Sequence, residues 1–377
     1  MRFNTVSKRL LFVVNAPEFF LSHRLPLALS AREMGYDVHV ATAAGEAVVD
    51  IVRQGFVHHV VPLSRSGRGP VRELASLVAL WRLFHALRPA IVHLVTIKPV
   101  LYGGLIARFT GVPAMVAAIS GLGTLFVSGG GAQCLVKGLY RLALRHPNSA
   151  VIFQNMDDCG ILKRMGAVRA NQVRLIRGSG VALIDYPYLP EPEGKPVVTM
   201  AARLLRDKGV AEFVEAAKIL HKNDMSVEFR LIGSPDPDNP TSVSDADLAK
   251  WRADGHVQLL GFRDDIARQY AKSNLVCLPS YREGLPKSLV EAAACGRAVV
   301  TTDMPGCRDA IKPGKSGVLV PARDAVALAD AIQNLVEDGE QRRAMGRAGR
   351  ELAECEFTID KIIAAHLAIY RELEASA

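Results

Sequence analysis

The chain of 377 residues is 49% apolar and 22% charged, a balance that excludes disordered and fibrous classes and fits two globular domains. No run of 18 apolar residues is present, and the basic start leads into too short an apolar run for a signal peptide, so neither a spanning helix nor a leader is expected. The net charge of +8 is uneven, +12 over residues 1–188 and −4 over the rest, so the first half is expected to face an anionic partner: nucleic acid, anionic lipid or a phosphorylated acceptor.

From the N-terminus, strands are predicted at 9–15, 37–41, 58–62, 90–95, 114–119, 150–154 and 173–176. Helical periodicity falls between them at 25–34, 47–54, 74–87, 100–110 and 133–146. Residues 17–22 and 63–72 read as loops, the second carrying Arg65, Arg68 and Arg72. This alternation describes a parallel, doubly wound sheet. Asn15, Phe19, Phe20, His23 and Arg24 follow the first strand. His23 and Arg24 are candidates for meeting an acceptor phosphate or hydroxyl, or for capping a helix start. Lys98, after the fourth strand, is a further candidate of this kind, and Ser120, in Ile119-Ser-Gly-Leu-Gly123, is one by the resemblance described below. The stretch 133–146 sets Leu135, Val136, Leu139, Tyr140 and Leu142 against Lys137, Arg141 and Arg145. Such a basic amphipathic helix can pack on its own domain or lie in a membrane interface.

Residues 179–196 contain four prolines and no periodic pattern, which marks an interdomain linker. A second βα series follows, with strands at 197–200, 228–233, 257–261, 275–278, 298–302 and 317–320, and last helices at about 326–335 and 341–355. The expected domains are 1–182 and 183–377, with a C-terminal helix at about 358–377 that can pack back onto the first. The six cysteines form no C-x-x-C pair, and Cys277 and Cys295 fall at core positions, as in a reduced cytoplasmic protein without a cysteine metal site.

Two segments of the second half hold chemistry. In 275–302 a strand, a loop and a helix place Glu283 in the loop and Glu291 in the helix's second turn, with Pro286 expected in the first turn. The N–H groups of Leu285, Lys287 and Ser288 point into the same space, where the helix dipole favours an anion such as a diphosphate. A carboxylate accepts two hydroxyl hydrogen bonds, so Glu291 suits a ribose diol while Glu283 reaches a sugar beyond the diphosphate. Arg203 and Lys208 follow the first strand of the second half and are placed to neutralise a diphosphate leaving group. Gly233 ends the next strand and can approach a ligand, and Phe262 ends the one after it, with Asp264 or Asp265 expected to cap the following helix. Asp236-Pro237-Asp238 has the spacing of an Asp-x-Asp metal motif, but its Pro-rich surroundings read as a solvated turn, so no metal is expected.

The segment EGLPKSLVEAAACGRAVVTTDMPG resembles the donor-site signature of the retaining nucleotide-sugar glycosyltransferases of the GT-B type with the E-x(7)-E motif (family 4 type), and Arg203–Gly209 resembles that family's R-x(4)-K-G signature. The resemblance covers the second half closely and the first half more weakly: the first loop lacks the family's glycine, and Ser120 stands where many relatives carry a histidine. It implies two Rossmann-like domains facing a central cleft, the first binding acceptor and the second binding donor. By this resemblance Glu283, Arg203 and Lys208 are catalytic. Glu291, Leu285, Lys287, Ser288, Phe262 and Gly233 bind the donor, with Glu291 on the nucleotide ribose. The segments SHRLPLA, K-P at 98–99, SGLG and EGLPKSLVEA are most similar to bacterial enzymes that extend lipid-diphosphate-linked oligosaccharides. The expected reaction is metal-independent, cofactor-free transfer from a UDP-sugar to a polyprenyl-diphosphate-linked saccharide, by a peripheral protein on the inner face of the cytoplasmic membrane with no nucleic-acid partner. The alternatives are another two-Rossmann sugar-nucleotide enzyme, such as a UDP-sugar 2-epimerase, and a basic nucleic-acid-binding protein.

Overall fold

The computed structural model describes residues 8–63, 69–122, 131–237 and 239–376, and the side chains of 70 and 131–135 lie outside the description. Arg65, Arg68, Gly123 and Asp238 therefore fall outside it. The chain divides into two compact units, residues 1–179 with 362–377, and residues 180–361.

In the first unit seven strands lie in the order β3-β2-β1-β4-β5-β6-β7. They are β1 (Arg9–Val14), β2 (Asp37–Thr42), β3 (Val57–Val60), β4 (Ile91–Val95), β5 (Ala114–Ile119), β6 (Ser149–Phe153) and β7 (Val173–Leu175), and every pairing is parallel. A parallel sheet is covered on both faces, which is why its central strands are almost wholly apolar, with His93 in β4 the buried exception. Alternate residues serve opposite cores: Leu11, Val13, Val92, Leu94, Met115 and Ala117 one, and Leu10, Phe12, Val14, Ile91, Val116 and Ala118 the other. The covering helices are α1 (Pro17–His23), α2 (Leu25–Glu33), α3 (Val48–Arg53), α4 (Pro70–Leu87), α5 (Gly104–Phe109), α6 (Gly131–Ala143) and α7 (Met156–Arg164).

Three differences from the sequence reading have local causes. Residues 17–22, expected as a loop, are helix α1, because Pro17 opens the turn without needing a donor and Phe20 is drawn in edge-on against Phe12 and Phe56. Helix α7, not anticipated, starts on Asn155, whose side chain accepts from the Asp158 N–H at 2.8 Å. The helix expected at 100–110 begins as a π-turn over Pro99–Gly103.

The second unit holds six parallel strands in the order β10-β9-β8-β11-β12-β13: β8 (Val197–Ala201), β9 (Glu228–Ile232), β10 (Gln258–Gly261), β11 (Leu275–Leu278), β12 (Ala298–Thr302) and β13 (Gly317–Val320). Its helices are α8 (Val210–Lys222), α9 (Asp245–Asp254), α10 (Ile266–Ala271), α11 (Lys287–Ala294), α12 (Ala325–Glu337) and α13 (Gly339–Leu352). Helix α9 also escaped the sequence reading, although Ser244 and Asp247 form a capping box at its start. The Pro-rich stretch 180–196 has no regular element, yet it is bound to this unit: Val181 bridges Thr358, and Glu191 meets Arg342 at 2.8 Å in a nearly buried ion pair. Cys277 and Cys295 are fully buried.

The last helix, α14 (Ile359–Ala375), belongs to the first unit from Ile362 onward. Ile362, Leu367, Ile369, Tyr370 and Leu373 join the core on the Phe12 face of the sheet. Fully burying one such aliphatic side chain contributes roughly 1.5–3 kcal/mol.

Candidate active site

In each sheet the strand order reverses once, between β1 and β4 in the first unit and between β8 and β11 in the second. Loops at the carboxyl ends of the two strands flanking such a point diverge and leave a crevice, the usual ligand site of open α/β sheets. In the second unit these loops are 202–209 and 279–286, which hold the two motifs.

Short backbone contacts bring the two loops together. Gly209 has φ +74° and a Cβ there would lie 2.1 Å from the Pro279 carbonyl oxygen, so only glycine permits the approach. The Ser280 hydroxyl and the Tyr281 N–H both donate to the Asp207 carbonyl, at 3.1 and 2.9 Å. The Lys208 ammonium forms an ion pair with the Glu283 carboxylate, both side chains being mostly buried. The lysine of one motif and the first carboxylate of the other are therefore in direct contact.

Helix α11 begins one residue later than expected, with Pro286 at the N-cap position. Its first-turn N–H groups, at Lys287 and Ser288, have no partner within the helix by construction. Glu291 is 7% exposed. The Tyr186 hydroxyl donates to its Oε1 at 2.5 Å, and Lys287 Nζ lies 3.4 Å from the same oxygen. Both of these contacts fall on Oε1. Burial and the adjacent Glu291 charge push the Tyr186 phenol well above its ordinary pKa, so it is a donor at neutral pH.

Arg203 is half exposed and its guanidinium meets Asp236 at 2.6 Å, so Asp236 is an ion-pair partner rather than a free carboxylate. Gly233 does not reserve space for a ligand. Its φ is +138° and a Cβ would lie 1.8 Å from the Ala202 carbonyl oxygen, so the glycine lets β9 pass the end of β8. Phe262 is 77% exposed at the end of β10. Asp265 occupies the N-cap position of α10 but makes no side-chain cap, contrary to expectation. Its carboxylate instead takes two hydrogen bonds from Arg263 and one from Gln269, and the Arg263 hydrogen bonds above all hold its pKa down to about 2.

At the reversal point of the first unit, Asn15 follows β1, Thr96 follows β4 and Ser120 follows β5. Asn15 Oδ1, Thr96 Oγ1 and Ser120 Oγ are each buried without a hydrogen-bond partner among the described residues. Thr96 also has φ +74°, a conformation that costs a β-branched residue about 1–3 kcal/mol and that clusters at functional sites. His23 is half-buried, stacked on Phe19 at 4.1 Å with Nδ1 2.7 Å from the Ser22 hydroxyl. The other two candidates are placed differently. Arg24 is 2% exposed, donates to the His23 carbonyl at 2.8 Å, and has its pKa lowered to about 10 by burial, so it serves the α1–α2 junction. Lys98 is tied to Glu73 at 2.7 Å.

Residues 187–352 match the family model "Glycosyl transferases group 1", and residues 9–155 match "Glycosyl transferase 4-like". The chain belongs to the GT-B glycosyltransferases of group 1. It is 29% identical over 348 residues, 86% of this chain and 90% of the other, to the Campylobacter jejuni N,N'-diacetylbacillosaminyl-diphospho-undecaprenol alpha-1,3-N-acetylgalactosaminyltransferase. To the Escherichia coli UDP-Gal:alpha-D-GlcNAc-diphosphoundecaprenol alpha-1,3-galactosyltransferase it is 23% identical, over 80% of this chain and 81% of the other. In fold it is similar to Anabaena HepE in complex with UDP and glucose, with a TM-score of 0.75 over 97% of this chain and 100% of that one at 19% identity.

In this glycosyltransferase the second-unit candidates Arg203, Lys208, Glu283, Leu285, Lys287, Ser288 and Glu291 all lie on the two loops and the helix they lead into. Sequence reasoning missed Tyr186, Asp236 and Thr96. Tyr186 lay in a stretch read only as linker, where Asp185-Tyr186-Pro187-Tyr188 was the available signal. Asp236 was weighed only as a metal ligand. No sequence signal announces a left-handed threonine at position 96.

Proposed function

We propose that this glycosyltransferase moves a sugar from a UDP-sugar to a polyprenyl-diphosphate-linked saccharide, with retention of anomeric configuration, in bacterial surface polysaccharide or glycan synthesis. The observation that carries the donor half is the Lys208–Glu283 contact, which makes one site of the two motifs. The activities named for the C. jejuni and E. coli relatives support a saccharide on a diphospho-undecaprenol as acceptor, and that of the E. coli relative supports a UDP-sugar as donor. The matched models leave the epimerase and nucleic-acid readings without support.

In this reading Oε2 of Glu291 accepts the ribose hydroxyls, while Tyr186 and Lys287 hold the carboxylate by its other oxygen. The N–H groups of Leu285, Lys287 and Ser288 take the diphosphate, and the exposed Phe262 ring flanks the base. Arg203 and Lys208 neutralise the leaving group. The exposed Arg203–Asp236 pair contributes at most about 1 kcal/mol, so a diphosphate, which offers charge-assisted bidentate bonds, displaces it readily. Glu283 then contacts the sugar. The C1–O bond breaks with its electron pair going to the diphosphate, the acceptor hydroxyl bonds to C1 on the same face, and its proton passes to the departing oxygen. Two cations and a helix N-terminus supply the charge stabilisation, so neither metal nor cofactor is invoked.

On the acceptor side His23 and Ser120 stand with Asn15 and Thr96, whose unpartnered polar atoms suit saccharide hydroxyls. Lys98 is set aside because its ammonium is tied to Glu73, whereas the buried Arg24 guanidinium, whose Nε has no hydrogen-bond partner among the described residues, keeps its place as a candidate for an acceptor phosphate. A lipid-borne acceptor, a first half of charge +12 and the absence of any spanning helix among the described residues support peripheral work at the inner face of the cytoplasmic membrane. Donor hydrolysis measured across a panel of UDP- and GDP-sugars tests the proposal. Release of UDP from one UDP-sugar is expected, and turnover of GDP-sugars alone would overturn it.

A further inference from the structure

We propose that the outward face of α4 is the element that lies in an anionic phospholipid bilayer, an inference that rests on the peripheral-membrane reading above. Helix α4 carries two apolar stripes. Leu80 and Phe84 are 0% and 1% exposed, and with Leu87 they fasten the helix to the first unit. Val71, Leu74, Val78 and Trp81 recur at intervals of three and four, so they form one line on the opposite side. They are 79%, 61%, 39% and 47% exposed. A soluble helix ordinarily presents charge there, and a continuous apolar line with a tryptophan indicates a surface that is covered in use.

The charges around this line select the occupant. Arg72, Arg82 and His85 are exposed beside it, and Arg88 follows at the helix end. Glu73, the helix's single acid, is turned inward, where Lys98 and the Tyr102 hydroxyl each hold it at 2.7 Å. Two copies of this face brought together about a two-fold axis would set arginine against arginine, which disfavours self-association. Anionic headgroups meet the same arginines favourably, and the apolar line then lies at the acyl boundary. Trp81, stacked on His85 at 5.6 Å, is an amphipathic ring of the kind that settles at that depth. An 18-residue helix is about 27 Å long and this one is basic, so it lies in the interface plane rather than crossing.

Helix α6, the sequence-based candidate for this role, turns most of its described apolar side inward and leaves Leu142 41% exposed. Tyr140 and Ala143 are fully buried, Val136 and Leu139 pack on the same core, and Arg141 Nε donates to the Met165 carbonyl at 2.5 Å.

The test is co-sedimentation with phosphatidylglycerol–phosphatidylethanolamine vesicles at low salt, combined with tryptophan quenching by brominated lipids. The chain has two tryptophans, and the other, Trp251, is 8% exposed in the second unit. The parent protein is expected to sediment and to be quenched, and Trp81→Phe to abolish quenching. The double substitution Leu74→Ser, Val78→Ser leaves the charge unchanged and alters only exposed positions. It is expected to weaken partitioning tenfold or more while UDP affinity stays at the parent value. Vesicle binding without Trp81 quenching, and undiminished in the double variant, would overturn the role of α4 and leave the peripheral reading standing. Failure of the parent to bind vesicles would overturn both. A parent dimer that the double substitution converts to monomer would make this face a protein interface and overturn the lipid assignment.

Discussion

Replacing Glu291 with alanine probes the nucleotide site most sharply, because its carboxylate is almost buried and half of it is already committed. Tyr186 and Lys287 occupy Oε1, so the ribose contact falls to Oε2. A hydrogen bond to a charged group contributes about 1.5–3 kcal/mol, so Glu291→Ala should weaken UDP binding roughly 10- to 150-fold. The substitution also leaves the Tyr186 hydroxyl without its acceptor, a loss on the order of 1 kcal/mol of stability. Tyr186→Phe separates the two effects, since it frees the carboxylate without removing it. It should reduce UDP affinity by about fivefold or less, as expected for loss of one positioning hydrogen bond of about 1 kcal/mol. Titration calorimetry with UDP reads both variants, and denaturant melts read the stability term. If Glu291→Ala binds UDP within twofold of the parent, the carboxylate does not hold the ribose.

Three further outcomes are expected. Glu283→Gln should keep UDP affinity near the parent value and lose about 10²-fold in transfer rate, because the lost charge faces the sugar rather than the nucleotide; normal turnover with the sugar donor would remove Glu283 from that position. Activity should survive EDTA, since the diphosphate is held by Arg203, Lys208 and the α11 N-terminus; inactivation restored by manganese or magnesium would return Asp236 to metal chemistry. Stability should fall on acidification. Burial drives the His366 imidazole down to about 3, and burial with the nearby Arg24 charge drives His93 well below its ordinary value. Both are neutral when folded, so below about pH 6.5 the unfolded chain binds more protons. Stability is full above that pH and is lost toward pH 3 at up to about 1.4 kcal/mol per unit for each histidine. Denaturant melts at pH 7.5, 6.5 and 5.5 should show this slope, and His366→Gln should reduce it; a flat profile for the parent refutes the buried-neutral assignment.

Much of the fold is legible because parallel strands buried on both faces leave nearly continuous apolar runs. LLFVV, IVHLV and AVVTT could each be placed within a residue or so. The donor motifs were legible for the same reason, since each follows such a strand directly. What stayed hidden depends on tertiary contact. Helix α1 is only two turns long, too short for its apolar spacing to stand out, and is specified by Pro17 and by the docking of Phe20. Gly233 could be read as ligand space until the Ala202 carbonyl was found against it. Tyr186 is separated from Glu291 by 105 residues, and no local pattern ties them. Lys98 looked available because sequence does not reveal its pairing with Glu73.

The central claim is retaining transfer from a UDP-sugar, and the anomeric configuration of the product tests it most directly. The protein is incubated with a turned-over α-linked UDP-sugar and a polyprenyl-diphosphate-linked saccharide, and the new linkage is read from the anomeric proton coupling in the NMR spectrum. An α-linkage is predicted. A β-linkage would require attack from the face opposite the diphosphate, and would contradict the assignment of Glu283, Arg203 and Lys208 to a same-face displacement.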